Sequence, residues 1–206
     1  MHLTPLLFAT VLLSLPVCAA FAAEDLVANG DFADWAGESP RHWAVAQNKQ
    51  SVSRAETDTG FALKVDIVRD AGSRYGEIRQ RIRVKRHTIH RLTARIKSTR
   101  NHTGFFMIKR RAGGKEIERI KSAWNDGTDW TSVTQQVDSG NADELQILCR
   151  YRQRTEQVGH TVWFTDVALE EIGESPDAAK ARAKIKEAKK KQRVPGLAAA
   201  LGEREL

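Results

Sequence analysis

The stretch Tyr75 to Val84, YGEIRQRIRV, alternates without a break. Ile78, Gln80, Ile82 and Val84 fall on one side of an extended chain, and Glu77, Arg79, Arg81 and Arg83 on the other. That two-residue period is the pattern of a half-buried β-strand, because successive side chains of a strand point to opposite faces. A helix would scatter the same set around its circumference. The period returns in Phe61 to Val68, where Phe61, Leu63, Val65 and Ile67 share a side, and in His90 to Ser98, where Leu92, Ala94 and Ile96 do.

Further strands are expected at Gln50–Ala55, Gly104–Arg111, Lys115–Ile120, Thr131–Val137, Glu144–Arg152 and Thr161–Glu171. Turn residues separate them: Asp58-Thr59-Gly60, Asp70-Ala71-Gly72-Ser73, Ala112-Gly113-Gly114 and Ser139-Gly140-Asn141. Glycine supplies the positive φ that such turns require. No useful helical period precedes Ser175. Many short strands with regular turn signals indicate an all-β antiparallel sandwich of jelly-roll type.

The two ends read differently from this middle. Residues 1–23 have an apolar run from Leu6 to Val17, then the small residues Ala19, Ala20, Ala22 and Ala23. This is the pattern of a secretory signal, too short for a membrane span, with cleavage expected after Ala22 or Ala23 and the protein secreted or periplasmic. Residues 24–173 make the sandwich, and 174–206 a basic tail, helical or disordered. Ser175-Pro176-Asp177 can start a helix, Ala178 to Gln192 is rich in alanine and lysine, and Pro195-Gly196 ends the pattern.

Beyond the signal only Cys149 remains, so no internal disulfide is available and the core must hold the domain together. Cys149 lies in the apolar run LQILCRY, the setting of a buried thiol. The net charge is +7, but the tail from Glu174 onward carries nine basic and five acidic residues and so supplies about half of it. The charge alone therefore gives no case for nucleic acid.

LVANGDFADW, SPRHW, GFALKVDIV, YGEIRQRIRV, DWTSVTQQV and VWFTDVALEEI together resemble one family. They are similar to the jelly-roll carbohydrate-binding modules attached to bacterial cellulases and xylanases, within the galactose-binding-like superfamily. The resemblance covers Asp25 to Ile172 and implies a non-catalytic polysaccharide-binding domain. It also implies a structural calcium joining the first and last strands. Ala33 and Thr165 stand where two of the implied carboxylates belong, which weakens that expectation and leaves Asp31 and Asp166 as the candidate ligands.

Sugar binding uses aromatic platforms against pyranose faces and polar groups on the hydroxyls. Trp43, Trp130 and Trp163 match positions the family uses for packing and are expected in the core. Trp124, in the loop KSAWNDGTDW, is the expected exposed platform; Tyr75, Phe106 and Tyr151 are further aromatic candidates. Arg79 and Arg81 lie on one strand, Arg91, Arg95 and Lys97 on its expected neighbour, and Arg150 and Arg152 on a late strand. One basic face would result, suited to an anionic glycan, sulfated or uronic, because guanidinium forks pair with sulfate and carboxylate. The candidate ligand-binding set is thus Trp124, Tyr75, Arg79, Arg81, Arg95, Arg150 and Arg152.

No G-x-S-x-G, no phosphate-cradling glycine loop and no cysteine–histidine spacing points to an enzyme. Nucleic-acid binding would need exposed aromatics among the arginines, and the aromatics read as buried. The alternative that stays open is a cell-surface structural or protein-interaction sandwich without sugar binding.

Overall fold

The computed structural model describes residues 24–45 and 50–192. The signal segment 1–23 and the Pro195-Gly196 break lie outside the described residues. Among the described residues there are twelve strands: β1 (Trp35–Ala36), β2 (Ser39–Pro40), β3 (Ala44–Val45), β4 (Ser51–Thr57), β5 (Gly60–Asp66), β6 (Tyr75–Arg83), β7 (Thr88–Ser98), β8 (Gly104–Ala112), β9 (Lys115–Trp124), β10 (Thr131–Asp138), β11 (Glu144–Arg152) and β12 (Thr161–Glu174). A 3-10 turn spans Thr155–Gln157, and helix α1 runs Ala178–Gln192.

Ten of the strands form two five-stranded antiparallel sheets. The first has the order β10-β7-β12-β5-β4, and the second β3-β6-β11-β8-β9. From β5 onward each successive strand changes sheet, except that β8 and β9 form a hairpin within the second. β6 and β7, adjacent in sequence, therefore belong to opposite sheets. This corrects the expectation that the arginines of these two strands share a surface. Alternation says which side of a strand is buried; it does not say which strand lies beside it.

The inward sides of both sheets meet in one core. Leu63, Val65, Leu92, Ile96, Val162, Phe164 and Leu169 come from the first sheet, and Ile78, Phe106, Ile108, Leu145, Ile147, Cys149 and Tyr151 from the second. Each is essentially inaccessible to solvent. Phe106 and Tyr151, two of the aromatic candidates, are thus core residues. Burial raises the Cys149 thiol well above its usual value, which keeps it in the unreactive protonated form.

The opening segment closes one end of the sandwich. Leu26 N–H donates to the Leu169 carbonyl (2.9 Å), and Val167 N–H to that of Gly30 (3.0 Å), so the first residues lie along the last strand. Buried Gln80 of β6 accepts from Ala28 N–H (2.9 Å) and donates to the Ala28 carbonyl (2.8 Å), pinning the segment to the second sheet. The positive φ of this turn falls on Asn29 (53°), not on glycine. Asn29 Nδ2 donates to the carbonyls of Asp34 (2.8 Å) and Arg41 (3.0 Å), and its Oδ1 accepts from Asp34 N–H (2.9 Å). Gly30 is needed for another reason: a Cβ there would lie 1.9 Å from the Val167 carbonyl oxygen. Behind this turn Phe32 and Trp43 pack with ring centroids 4.9 Å apart, as buried residues.

Helix α1 meets the sandwich at its first turn. Ser175 N–H donates to the His87 carbonyl (2.8 Å), the Ser175 hydroxyl donates to Asp138, and Ala178 is buried. No helix among the described residues is long and apolar enough to cross a membrane.

Candidate functional site

The outer face of the second sheet gathers most of the sequence candidates. Antiparallel register lays its outward side chains in ranks. Glu77, Arg150, Phe105 and Trp124 form one rank, with the Tyr75–Arg152 pair beside it. Arg79, Leu148, Met107 and Lys121 form the next, followed by Arg81, Gln146, Lys109 and Arg119, and then Arg83, Glu144, Arg111 and Glu116.

An aromatic cluster occupies one corner. Phe105, Met107 and Leu148 are buried there, with Tyr75 and Trp124 packed against them. Phe105 and Trp124 have centroids 4.3 Å apart, Tyr75 and Phe105 meet edge-on at 5.6 Å, and Tyr75 and Trp124 are 6.3 Å apart. Four cations lie over these rings. Lys121 Nζ is 4.2 Å from the Trp124 centroid and 4.9 Å from that of Phe105. The Arg152 guanidinium is 4.4 Å from Trp124, Arg150 is 4.7 Å from Tyr75, and Arg74 is 5.2 Å from Tyr75. The negative face of an aromatic ring attracts cations, by roughly 0.5–2 kcal/mol depending on exposure.

Charge is unevenly paired across this face. Among the described residues, its ranks hold nine cations and three carboxylates. Glu77 pairs with Arg79 (3.1 Å) and Arg150 (3.7 Å). Glu144 pairs with Arg111 (3.0 Å) and Arg81 (3.7 Å), and Glu116 with Lys109 (3.4 Å) and Arg119. Six cations thus share three acids. Of the other three, Arg83 is at the far end, while Lys121 and Arg152 sit together over Trp124 with no carboxylate in reach. The uncompensated charge is concentrated at the aromatic corner. Burial also pulls the Arg150 guanidinium below the usual arginine value, and the Glu77 carboxylate opposes that shift.

Trp124 is not on a loop. It is the last residue of β9, half-buried and flanked by Lys121 and Arg152, and not a bare indole platform. Phe105, Met107 and Lys121 were not candidates from the sequence. The run FFMIKRRA is ambiguous by itself, but Lys109 shares parity with Phe105 and Met107 and marks their side as the outward one.

Arg95 belongs elsewhere. It lies on the outer face of the first sheet, on β7, with Arg91 and Lys97. Its Nη1 donates to Asp166 (3.2 Å) and Thr59 Oγ1 (3.1 Å), and its guanidinium covers Trp130 at 4.9 Å. Trp130 and Trp163 are on that face too. Both are half-buried, not core, because Val162 and Phe164 take the inward positions of β12 and leave Trp163 outward. Of the three tryptophans expected in the core, Trp43 alone is buried.

The candidate calcium ligands do not form a cage. Asp166 is engaged by Arg95, and Asp31 Oδ1 accepts from Ala33 N–H (3.3 Å). At the two positions lacking the implied acids, protein donors serve instead: Arg54 Nη1 donates to the Ala33 carbonyl (2.9 Å), and the Thr165 hydroxyl to that of Phe61 (2.6 Å). Among the described residues no three histidine, cysteine or carboxylate side chains converge on a metal position. The residues present do not fit calcium, which needs several converging oxygens.

No known protein family and no curated protein matches the sequence. Solved structures do match its fold. The CBM22-1 xylan-binding domain of Paenibacillus barcinonensis Xyn10C aligns over 76% of this chain and 100% of its own, with TM-score 0.54 and 13% identity. TmCBM61, solved in complex with β-1,4-galactotriose, aligns over 73% of this chain and 100% of its own, with TM-score 0.51 and 13% identity. The enzymatically active domain of bacteriophage CBA120 tailspike protein 4 aligns over 72% of this chain at TM-score 0.59 and 14% identity, and the match spans 21% of the tailspike chain. The chain has the jelly-roll fold of carbohydrate-binding modules. The likeness is one of architecture, and the ligand must be argued from the side chains.

Proposed function

We propose that this protein is a secreted or periplasmic carbohydrate-binding module without catalysis of its own, and that it holds an anionic polysaccharide, sulfated or uronic, on the outer face of its second sheet. The observation that carries this reading is the corner where Lys121 and Arg152 flank Trp124 without a carboxylate to neutralise them. A sugar ring supplies C–H groups to the Tyr75–Phe105–Trp124 cluster. Its sulfate or carboxylate supplies the charge that the corner lacks, with the Arg152 fork suited to two-point contact. Arg79 and Arg81 lie farther along the same face and extend the path for a chain of such sugars.

Retention in affinity gels containing sulfated, uronic or neutral polysaccharide tests it. Sulfated or uronic polymer is expected to slow the wild-type protein, and Arg152→Ala and Lys121→Ala to restore its mobility. Equal indifference to all the polymers defeats the reading. A second reading follows from the same cations: they cover the indole, and an acidic protein segment could meet them as well as a glycan does. Retention by polyglutamate but by no polysaccharide would move the function to a protein-interaction module. Residues 1–23 are read as the export signal, and an exported protein beginning at Ala23 or Glu24 on N-terminal sequencing is the expected outcome.

A further inference from the structure

The outer face of the first sheet carries a groove that the basic face does not explain. It encloses about 450 Å³ and is lined by Glu56, Thr57, Asp58, Lys97, Trp130 and Trp163. Register fixes its floor. Trp163 on β12 lies opposite Lys97 on β7, and Trp130 directly precedes Thr131, which lies opposite Ile96 on the other side of β7. Lys97 therefore stands between two tryptophans set two strands apart, roughly 10 Å at the usual strand spacing. The turn between β4 and β5 forms the wall, and the Thr59 contact to Arg95 ties it to the sheet.

Core packing does not require these indoles, which carry cations on one side: Arg95 lies 4.9 Å from the Trp130 centroid and Lys97 Nζ 6.0 Å from that of Trp163. Val162 and Phe164, on either side of Trp163, are fully buried, and Trp163 points the other way. A large apolar ring kept half-exposed on a sheet, beside a groove, is more informative than a buried one. Charge distinguishes this surface from the other. Arg95 is met by Asp166, Lys64 by Asp66, and Lys97 shares the groove with Glu56 and Asp58. The local balance is near neutral, with donors and acceptors both present. A polyanion gains little there and meets two carboxylates; hydroxyl groups find partners of both kinds.

We propose that this groove is a second glycan subsite, which takes a neutral pyranose chain. The first and third of three consecutive sugar rings lie against Trp130 and Trp163, and hydroxyls along the chain bond to Lys97, Glu56 and Asp58. The site stands independently of the basic face, since it is on the opposite surface of the sandwich. One molecule then has two binding surfaces of different chemistry.

The test uses the full exported chain and follows the indole N–H signals of its five tryptophans by ¹H–¹⁵N NMR, assigned with single Trp→Phe variants, while xylohexaose or cellohexaose is added. Saturable shifts in the Trp130 and Trp163 signals are expected. Trp163→Ala should weaken binding about tenfold or more, whereas Trp163→Phe, which keeps an aromatic face, should retain most of it. Retention of Trp163→Ala by sulfated polysaccharide should stay at the wild-type level, which also reports that the variant is folded. The proposal is overturned if neutral oligosaccharides move no indole signal, or move that of Trp124 and leave Trp130 and Trp163 in place. If sulfated polymers fail to retain the wild type while these shifts persist, the basic-face reading falls and this site stands.

Discussion

The two sheets have the same number of strands and face outward with aromatics and arginines in each case, yet charge is paired differently on their outer faces. On the first sheet, Arg95 has its carboxylate in Asp166, its hydroxyl in Thr59 and its ring in Trp130. Its Nη1 is shared between the carboxylate and the hydroxyl, and its plane lies over the ring. On the second sheet, Arg152 has a ring and no acid, and Lys121 beside it is placed in the same way. The same residue type is structural on one face and available on the other. The difference lies in where carboxylates were placed, not in how many arginines there are.

The strongest challenge to that contrast is charge reversal. Arg150→Glu combined with Arg152→Glu should lower affinity for sulfated polysaccharide on the order of 100-fold or more, since it removes two cations and adds repulsion. Gel retention or calorimetry measures it, and an unchanged affinity would show that the second face is not the binding surface. Next in size is Trp124→Ala, with about a tenfold loss from removal of the ring that seats both Lys121 and Arg152. Raising salt from low to several hundred millimolar should weaken the same interaction by a comparable factor while leaving any neutral-glycan binding unchanged.

Smaller effects compare the arginines directly. Arg95→Ala should cost about 1 kcal/mol of stability in urea unfolding, from a partly buried ion pair and a cation–π contact, and leave retention by sulfated polymer intact. Arg152→Ala should do the reverse, with nearly unchanged unfolding and weakened retention. If both variants behaved alike, the division between structural and available arginines would be lost.

The smallest effect lies inside. His90 of β7 is fully buried, with Nδ1 3.2 Å from the Thr88 carbonyl and Nε2 unpartnered. Burial lowers its pKa from the ordinary 6.5, and the Thr88 contact and the Glu171 carboxylate only partly offset this. The folded state thus holds a neutral ring, and the unfolded chain binds the proton more readily. The stability it contributes is complete above 6.5 and declines as pH falls through the interval between 6.5 and the lower folded value. Urea midpoints at pH 7.5 and 5.5 should differ, and His90→Gln should narrow the difference. A midpoint that rises on acidification would contradict the sign.

Much of the architecture was legible before any coordinates. The alternation in YGEIRQRIRV and HRLTARIKS set the buried sides of β6 and β7 correctly, and β11 has the bounds read from the sequence. Of the two states left open for the tail, helical or disordered, the Ala-Lys segment is helical over Ala178–Gln192. Strand adjacency was not legible, because Ile78 and Leu92 are both inward residues and nothing local says that they face each other across the core instead of lying side by side. That one ambiguity put Arg95 in the wrong company. Trp163 was a different kind of miss. The triplet Val162-Trp163-Phe164 has two aliphatic or aromatic residues of one parity around a tryptophan of the other, so the outward position was available from the period, and matching to a packing position concealed it. Of the candidate set named from the sequence, Tyr75, Trp124, Arg150 and Arg152 lie together at one corner. Lys121 and Phe105, which determine its charge and its floor, come from the β8–β9 register, which shifts between Phe105 and Met107 and is invisible in the sequence.

The contact between the opening segment and β12 has a mechanical consequence. Asp25 bridges to Glu170, Leu26 bonds to Leu169, and Gly30 bonds to Val167, so both ends of this pairing leave the sandwich at one pole. Tension applied through Asp25 and Ser175 loads these bonds in sequence rather than in parallel, as in peeling. The peel should arrest at Asn29, where one side chain makes three bonds across the turn. In a single-molecule pull from these two points, a small early release of about five residues should precede the rupture of the sheets.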